Sequence, residues 1–277
     1  MMKNILFILI LLAALSLQIL AQPANSPIST QAAIAESVKL VPCESKERLE
    51  AVKKLFAGMG AKEGEITIEK FNKDKINNVV LRKKGKSEET VIIGAHYDKT
   101  EEGCGAIDNW TGVSVVAHLY QTIRQLETEK SYIFVAFDQE EEGLLGSEAM
   151  AKAIPKKSLP EYCAMVNIDS LGFTFPYALR SISSPKMTAI AKNVAEENNL
   201  KFYEIDLAGA SSDSASFKNR RIPAITFSGL DNQWKTYLHS SSDKLEKIKM
   251  ESVYLSYRFV LAFIGKLEKT TCSELGK

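Results

Sequence analysis

Two histidines and a series of carboxylates stand where apolar runs of this chain end, and those are the residues that could do chemistry. Residues 90–95 form a near-continuous apolar run that leads straight into His96-Tyr97-Asp98, an imidazole with a carboxylate two residues on to orient it. Twelve residues further, Asp108-Asn109-Trp110-Thr111-Gly112 opens a helical pattern. A second apolar run ends at Phe137 before Gln139-Glu140-Glu141-Glu142, and a third, 163–168, ends at Asp169. His239 lies in the loop Tyr237-Leu238-His239-Ser240-Ser241-Ser242-Asp243. Taken singly, Asp108 and Asp169 read as caps or turn formers, the glutamates as acid before a helix N-terminus, and His239 as a solvated loop residue. Taken together, three successive strand ends and the last long loop all supply nitrogen or oxygen ligands without a cysteine. That set suits zinc at a catalytic site, which binds such ligands and keeps one position for water. A carboxylate can also bridge two ions about 3.5–4 Å apart, so that the pair holds both the attacking and the polarised oxygen.

The elements that must position these residues follow from hydrophobic period. Leu49, Val52, Leu55 and Phe56 recur at helical spacing over 45–56, ahead of Gly58 and Gly60. Residues 66–71 and 78–82 alternate as strands, and 90–95 has the character of a strand buried on both faces. Over 112–126, Val113, Val116, Leu119, Tyr120 and Ile123 line one helical face, with Ser114, His118, Gln121 and Gln125 on the other. His118, the third of only three histidines, is therefore set aside as a polar-face residue. Strands at 132–137, 163–168, 201–207 and 223–227 alternate with helices at 146–153, 186–198 and 249–267. This order predicts a three-layer α/β/α sandwich with a mixed, mostly parallel central sheet and an antiparallel hairpin near its start. In such sheets ligands bind at the carboxyl ends of the strands, where the candidate residues fall.

Composition limits the partners. Among 277 residues, 35 Lys and Arg face 34 Asp and Glu, a formal net charge of +1, so nothing points to nucleic acid or an anionic membrane surface. Residues 1–21 carry Lys3 and then an uninterrupted apolar stretch from Ile5 to Leu15, the pattern of an export signal cleaved after Ala21. The stretch is short of the roughly 20 residues needed to span a bilayer, so no stable membrane anchor is expected. Residues 22–40 are expected to be a flexible N-terminal segment. Export makes the chain secreted or periplasmic, a compartment in which Cys43, Cys104, Cys163 and Cys272 can pair in any of three ways.

From about residue 45 to 267 the chain resembles metallopeptidase family 28, the di-zinc aminopeptidases. The resemblance is carried by His96-x-Asp98, Asp108-Asn109-x-Thr111-Gly112, Glu140-Glu141-x-Gly143-Leu144-x-Gly146-Ser147, Asn167-x-Asp169 and the late His239, in that order. It implies a single zinc peptidase domain over 41–277, of the zinc-exopeptidase (phosphorylase/hydrolase-like) fold, acting on peptides. It further implies one zinc on His96 and Asp169, a second on Glu141 and His239, Asp108 bridging them, Glu140 as general base, Asp98 orienting His96, and a cis peptide between Asp108 and Asn109. Trp110 stands where the family has a small residue and is expected to shape the substrate pocket, and Ser240-Ser241 replaces the commoner Thr-Pro. The segment Ser211-Ser212-Asp213-Ser214 is similar to a family loop near the site. The rival readings are a glutaminyl cyclase, which shares the fold with a single zinc, and a binding ectodomain without chemistry. Arg220 and Arg221 are the candidates for a carboxylate-binding pair, as a carboxypeptidase would need, against a simple solvated turn.

Overall fold

The structure, a computed structural model, describes residues 28–207 and 209–276; the expected export signal lies outside the described residues. Eight strands form one sheet in the order β1-β2-β4-β3-β5-β8-β6-β7. They are β1 (Thr67–Phe71), β2 (Ile76–Lys83), β3 (Thr90–His96), β4 (Ser131–Phe137), β5 (Tyr162–Ile168), β6 (Tyr177–Leu179), β7 (Glu204–Ile205) and β8 (Ala224–Ser228). The central block β4-β3-β5-β8 is parallel, β1 and β2 form an antiparallel hairpin at one side, and β6 joins β8 antiparallel at the other.

Alternation along the strands assigns the two faces. Val79, Leu81, Val91, Ile93 and Phe134 point into a large core beneath α1 (Gln31–Lys39), α2 (Ser45–Gly58), α3 (Thr111–Ile123), α5 (Pro185–Glu197) and α7 (Met250–Glu268). Val80, Ile92, Ile133 and Val135 point the other way, onto α4 (Leu145–Ala153) and α6 (Ser214–Asn219). Helices on both faces leave the strands apolar throughout, which is why 90–95 reads as a continuous apolar run. Disulfides join Cys43 to Cys104 and Cys163 to Cys272, tying the start of α2 to the β3–α3 loop and β5 to the segment after α7. No helix among the described residues is long and apolar enough to cross a membrane.

Three expectations need correction. The strand expected over 201–207 shrinks to Glu204–Ile205, and its neighbour Tyr177–Leu179, three residues long, is too short to show a period. The segment 22–40 is not flexible to its end: Thr30 caps α1 through its side chain, and Ile34 and Val38 are fully buried beside α3 and α7. That helix also corrects the solvated setting implied for His118, which does lie on the polar face of α3, but α1 covers that face. His118 is buried, with Nε2 2.9 Å from Ser37 Oγ and Nδ1 2.8 Å from Ser29 Oγ. Periodicity reports which residues avoid the core of their own sheet; it is silent on what covers the opposite side of the helix.

Burial lowers the His118 pKa to about 4, below the roughly 6.5 of an unfolded chain. Between those values the unfolded state binds the extra proton, so stability rises with pH. The contribution is complete above about pH 6.5 and is lost as pH falls towards 4, with an upper bound on the order of 3 kcal/mol. Urea titrations at pH 7 and pH 4.5 should show a steeper loss of stability for the wild type than for His118→Gln. Equal losses would remove His118 from the account of acid sensitivity.

Candidate metal centre

Strands β4, β3 and β5 are neighbours and parallel, with His96 in register with Phe137, so their carboxyl ends open on one rim. His96 closes β3; Glu140 and Glu141 follow β4; Asp169 follows β5; Asp108 enters from the turn before α3, and His239 from the loop after β8. A cis peptide joins Asp108 to Asn109, where it was expected. His96 Nε2 lies 3.1 Å from Asp108 Oδ1 and 3.6 Å from Asp169 Oδ1. His239 Nε2 lies 3.2 Å from Asp108 Oδ2 and 3.1 Å from Glu141 Oε2. The two oxygens of Asp108 therefore face different histidines, and two ligand groups, His96/Asp108/Asp169 and Asp108/Glu141/His239, share that one carboxylate.

A surrounding layer of hydrogen bonds fixes these side chains. Asp98 lies 3.3 Å from His96 Nδ1 and accepts the backbone N–H groups of Glu140 and Glu141 at 3.0 Å each, so it joins the end of β3 to the loop after β4. Asp243 accepts the N–H groups of Ile107 and Asp108 at 2.6 and 3.2 Å. The Asn109 side chain donates to Ile168 O and accepts from the N–H groups of Gly112 and Ser170, locking the turn to the end of β5. A Cβ at Gly112 would come within 2.4 Å of Asn109 Oδ1 and 2.5 Å of Ile168 O, so this close approach requires glycine. Ser170 Oγ reaches both Asp108 and Asp169, and Ser212 Oγ donates to Asp169 Oδ2 at 2.5 Å. Sequence reasoning overlooked Asp243, Ser170 and the Asn109 side chain, and left Ser212 without a role. Each lies inside or beside a quoted motif, but nothing in its spacing distinguishes it.

The residues fit divalent ions. Bonds of about 2.0–2.2 Å to a tetrahedral ion place its ligand atoms about 3.4 Å apart, the separation found between the histidine and carboxylate atoms. Glu141 Oε1 is buried without a hydrogen-bond partner. The electrostatics agree. Burial acts against a charge on His96, but Glu140 and the hydrogen-bonding carboxylates Asp108, Asp169 and Asp98 outweigh it and hold its pKa well above the ordinary value. Hydrogen bonds that the imidazole donates to Asp108 and Glu141 raise His239 to about 10. A proton on each histidine partly offsets crowded negative charge, a role a dication can take over. Burial lifts Glu140 well above the usual carboxylate range, with Asp169, Asp213 and Asp108 adding to it against the pull of His96. A carboxylate so placed is a ready proton acceptor. Asp213 is fully buried, and burial pushes its carboxyl up to about 7.

The other candidates fall away from the centre. Trp110, expected to shape the substrate pocket, is fully buried on the far side: its Nε1 donates to Ser37 O of α1. Arg220 donates to Ala151 O and Ile154 O at the end of α4, so it binds carbonyls of its own chain. Glu142 faces solvent. A cavity of about 170 Å³ opens over the cluster, walled by Leu179, Leu207, Leu230, Trp234 and Leu238. A larger one of about 810 Å³ adjoins it across Leu207, Leu230 and Trp234.

This is an α/β sandwich with a histidine–carboxylate cluster on the carboxyl rim of its parallel strands. The chain belongs to peptidase family M28, whose model matches residues 78–264. It is similar to a probable leucine aminopeptidase of Trichophyton verrucosum, 30% identical over an alignment of 242 residues that covers 79% of this chain and 63% of that protein. Among solved structures it is similar to BSAP, a zinc aminopeptidase from Bacillus subtilis, with a TM-score of 0.64 and 25% identity over 72% of this chain and 52% of that one. An Acidobacteriales bacterium glutaminyl cyclase shares the fold, with a TM-score of 0.75 and 17% identity over 90% of this chain and 98% of that one. The chain spans about half to just under two thirds of the length of the curated relatives it matches.

Proposed function

We propose that this chain is a secreted zinc-dependent exopeptidase, an aminopeptidase, that removes N-terminal residues from peptides. The observation that carries the reading is the division of the two Asp108 oxygens between His96 and His239, which creates two ligand sets on either side of one carboxylate. His96 and Asp169 would hold one zinc, Glu141 and His239 the other, with Asp108 between them and Asp98 orienting His96. Bound there, zinc supplies a water of lowered pKa and polarises the scissile carbonyl. Glu140, half-buried at the mouth of the cluster, takes the proton of the attacking water and delivers it to the leaving amine. The apolar wall of the cavity over the cluster excludes water and receives the side chain of the first residue. The apolar segment after Lys3 supports export, as do two disulfides, which persist in an oxidising compartment.

Purified zinc-loaded protein spanning 22–277 should hydrolyse free aminoacyl anilides and leave their N-acetylated counterparts intact, with activity lost on chelation and restored by zinc. Release from neither set by protein that retains two zincs would overturn the assignment. The glutaminyl cyclase reading has one observation in its favour, a structural match over nearly the whole of both chains. A single bound zinc with cyclisation of an N-terminal glutamine peptide would establish it instead.

A further inference from the structure

We infer that Arg48 is a positioning residue for the metal centre, its buried guanidinium holding the segment between His96 and Asp108 in place; the inference rests on the two-zinc reading above. Arg48 lies one turn into α2, on the same stripe as Val52, Leu55 and Phe56, and has no solvent exposure. Among the described residues no carboxylate lies within 4.0 Å of it. A buried charge in that setting is costly unless its donors are used.

Its four hydrogen bonds all go to backbone carbonyls. Nε donates to Tyr97 O, Nη1 to Pro42 O at 3.0 Å and Cys104 O at 3.1 Å, and Nη2 to Gly105 O at 3.2 Å. Tyr97 sits between His96 and Asp98, and Gly105 immediately precedes the turn that carries Asp108. One planar group thus fixes both ends of the segment joining two proposed ligands, beside the Cys43–Cys104 disulfide. The guanidinium carbon lies 5.4 Å from the centre of the Trp110 ring, which holds it from a third side. Gly105 has a φ of +62°, and a Cβ there would stand 3.0 Å from both Arg48 Nη1 and Asp108 O, so the packing is close on both sides. The guanidinium also faces the charges of Asp98, Asp243, Asp108 and Glu141, the two carboxylates that accept the backbone N–H groups around the site and two of the proposed ligands. A lysine brings the charge without the fork and cannot reach carbonyls in several directions from fixed positions.

A purely structural arginine offers the contrast. Arg220 also donates to two carbonyls, but on the α4 side of the sheet. The test uses the whole exported chain with both disulfides verified, and titrates metal-free wild type, Arg48→Met, Arg48→Lys and Arg220→Met with zinc against a chromophoric chelator. Cobalt(II) absorption reads the ligand geometry. Arg48→Met is expected to weaken zinc binding about 10- to 100-fold and to shift the cobalt spectrum, with Arg48→Lys recovering only part of the loss. Arg220→Met should lower the melting temperature with zinc affinity unchanged. Should Arg48→Met fail to fold, Arg48→Lys carries the test by the same two readouts. A folded Arg48 variant with wild-type zinc affinity and cobalt spectrum would overturn the inference, whatever its melting temperature. Wild-type protein that takes up fewer than two zincs would overturn the reading beneath it, and the inference with it.

Discussion

Glu140→Gln should lower kcat for aminoacyl anilides by about 10³- to 10⁴-fold while the protein keeps both zincs and a KM close to that of the wild type. The substitution preserves the size of the side chain and the backbone N–H that Asp98 accepts, so the loop after β4 has no reason to move. What disappears is a half-buried carboxylate whose surroundings raise its proton affinity. The sign is set by burial together with the negative charges of Asp169, Asp213 and Asp108, and it makes Glu140 a better proton acceptor than an exposed glutamate. Steady-state kinetics alongside metal analysis of the same preparation separates the roles. Loss of zinc together with activity would make Glu140 a ligand, and retention of activity would remove it from the proton-transfer step.

Asp108→Ala should cost more than activity: zinc content is expected to fall from two per chain to less than one at micromolar metal, with affinity reduced by more than the roughly 10- to 100-fold typical of an outer-layer hydrogen-bonding partner. The reason is geometric. Asp108 Oδ1 faces His96 and Oδ2 faces His239, so its removal takes one ligand from each set and leaves two histidines that no longer share a carboxylate. Asp169→Ala removes a ligand from one set only and should leave the second zinc in place. Equal losses in the two variants, measured by competition with a chelator, would argue against Asp108 as the shared group.

Much of the architecture was legible because parallel strands buried on both faces announce themselves as apolar runs. Residues 90–95, 132–137 and 163–168 became β3, β4 and β5 within a residue or two, and the residues after them meet on one rim. The long amphipathic patterns of α2, α3 and α7 were equally readable. The short edge strands were not, because β6 and β7 span three and two residues and make their hydrogen bonds through backbone groups that carry no side-chain signature. The helix α1 was missed because its sequence, QAAIAESVK, follows a Pro/Ser/Asn-rich stretch and only a few of its positions are buried.

The sequence by itself determined the types and order of the candidate ligands, and an α/β frame that brings successive strand ends to one side, since covalent order and hydrophobic period need no knowledge of distant contacts. Which cysteines pair, that Trp110 turns towards α1, that His118 is enclosed, and that Asp243, Asn109 and Ser170 brace the cluster were decided only in the tertiary structure. Each of these depends on an approach between segments far apart in the chain. The division of Asp108 between two histidines belongs to the same class: His96 and His239 are separated by most of the domain, and only the packing of α3 against the sheet and the return of the last loop set the angle at which the two imidazoles meet one carboxylate.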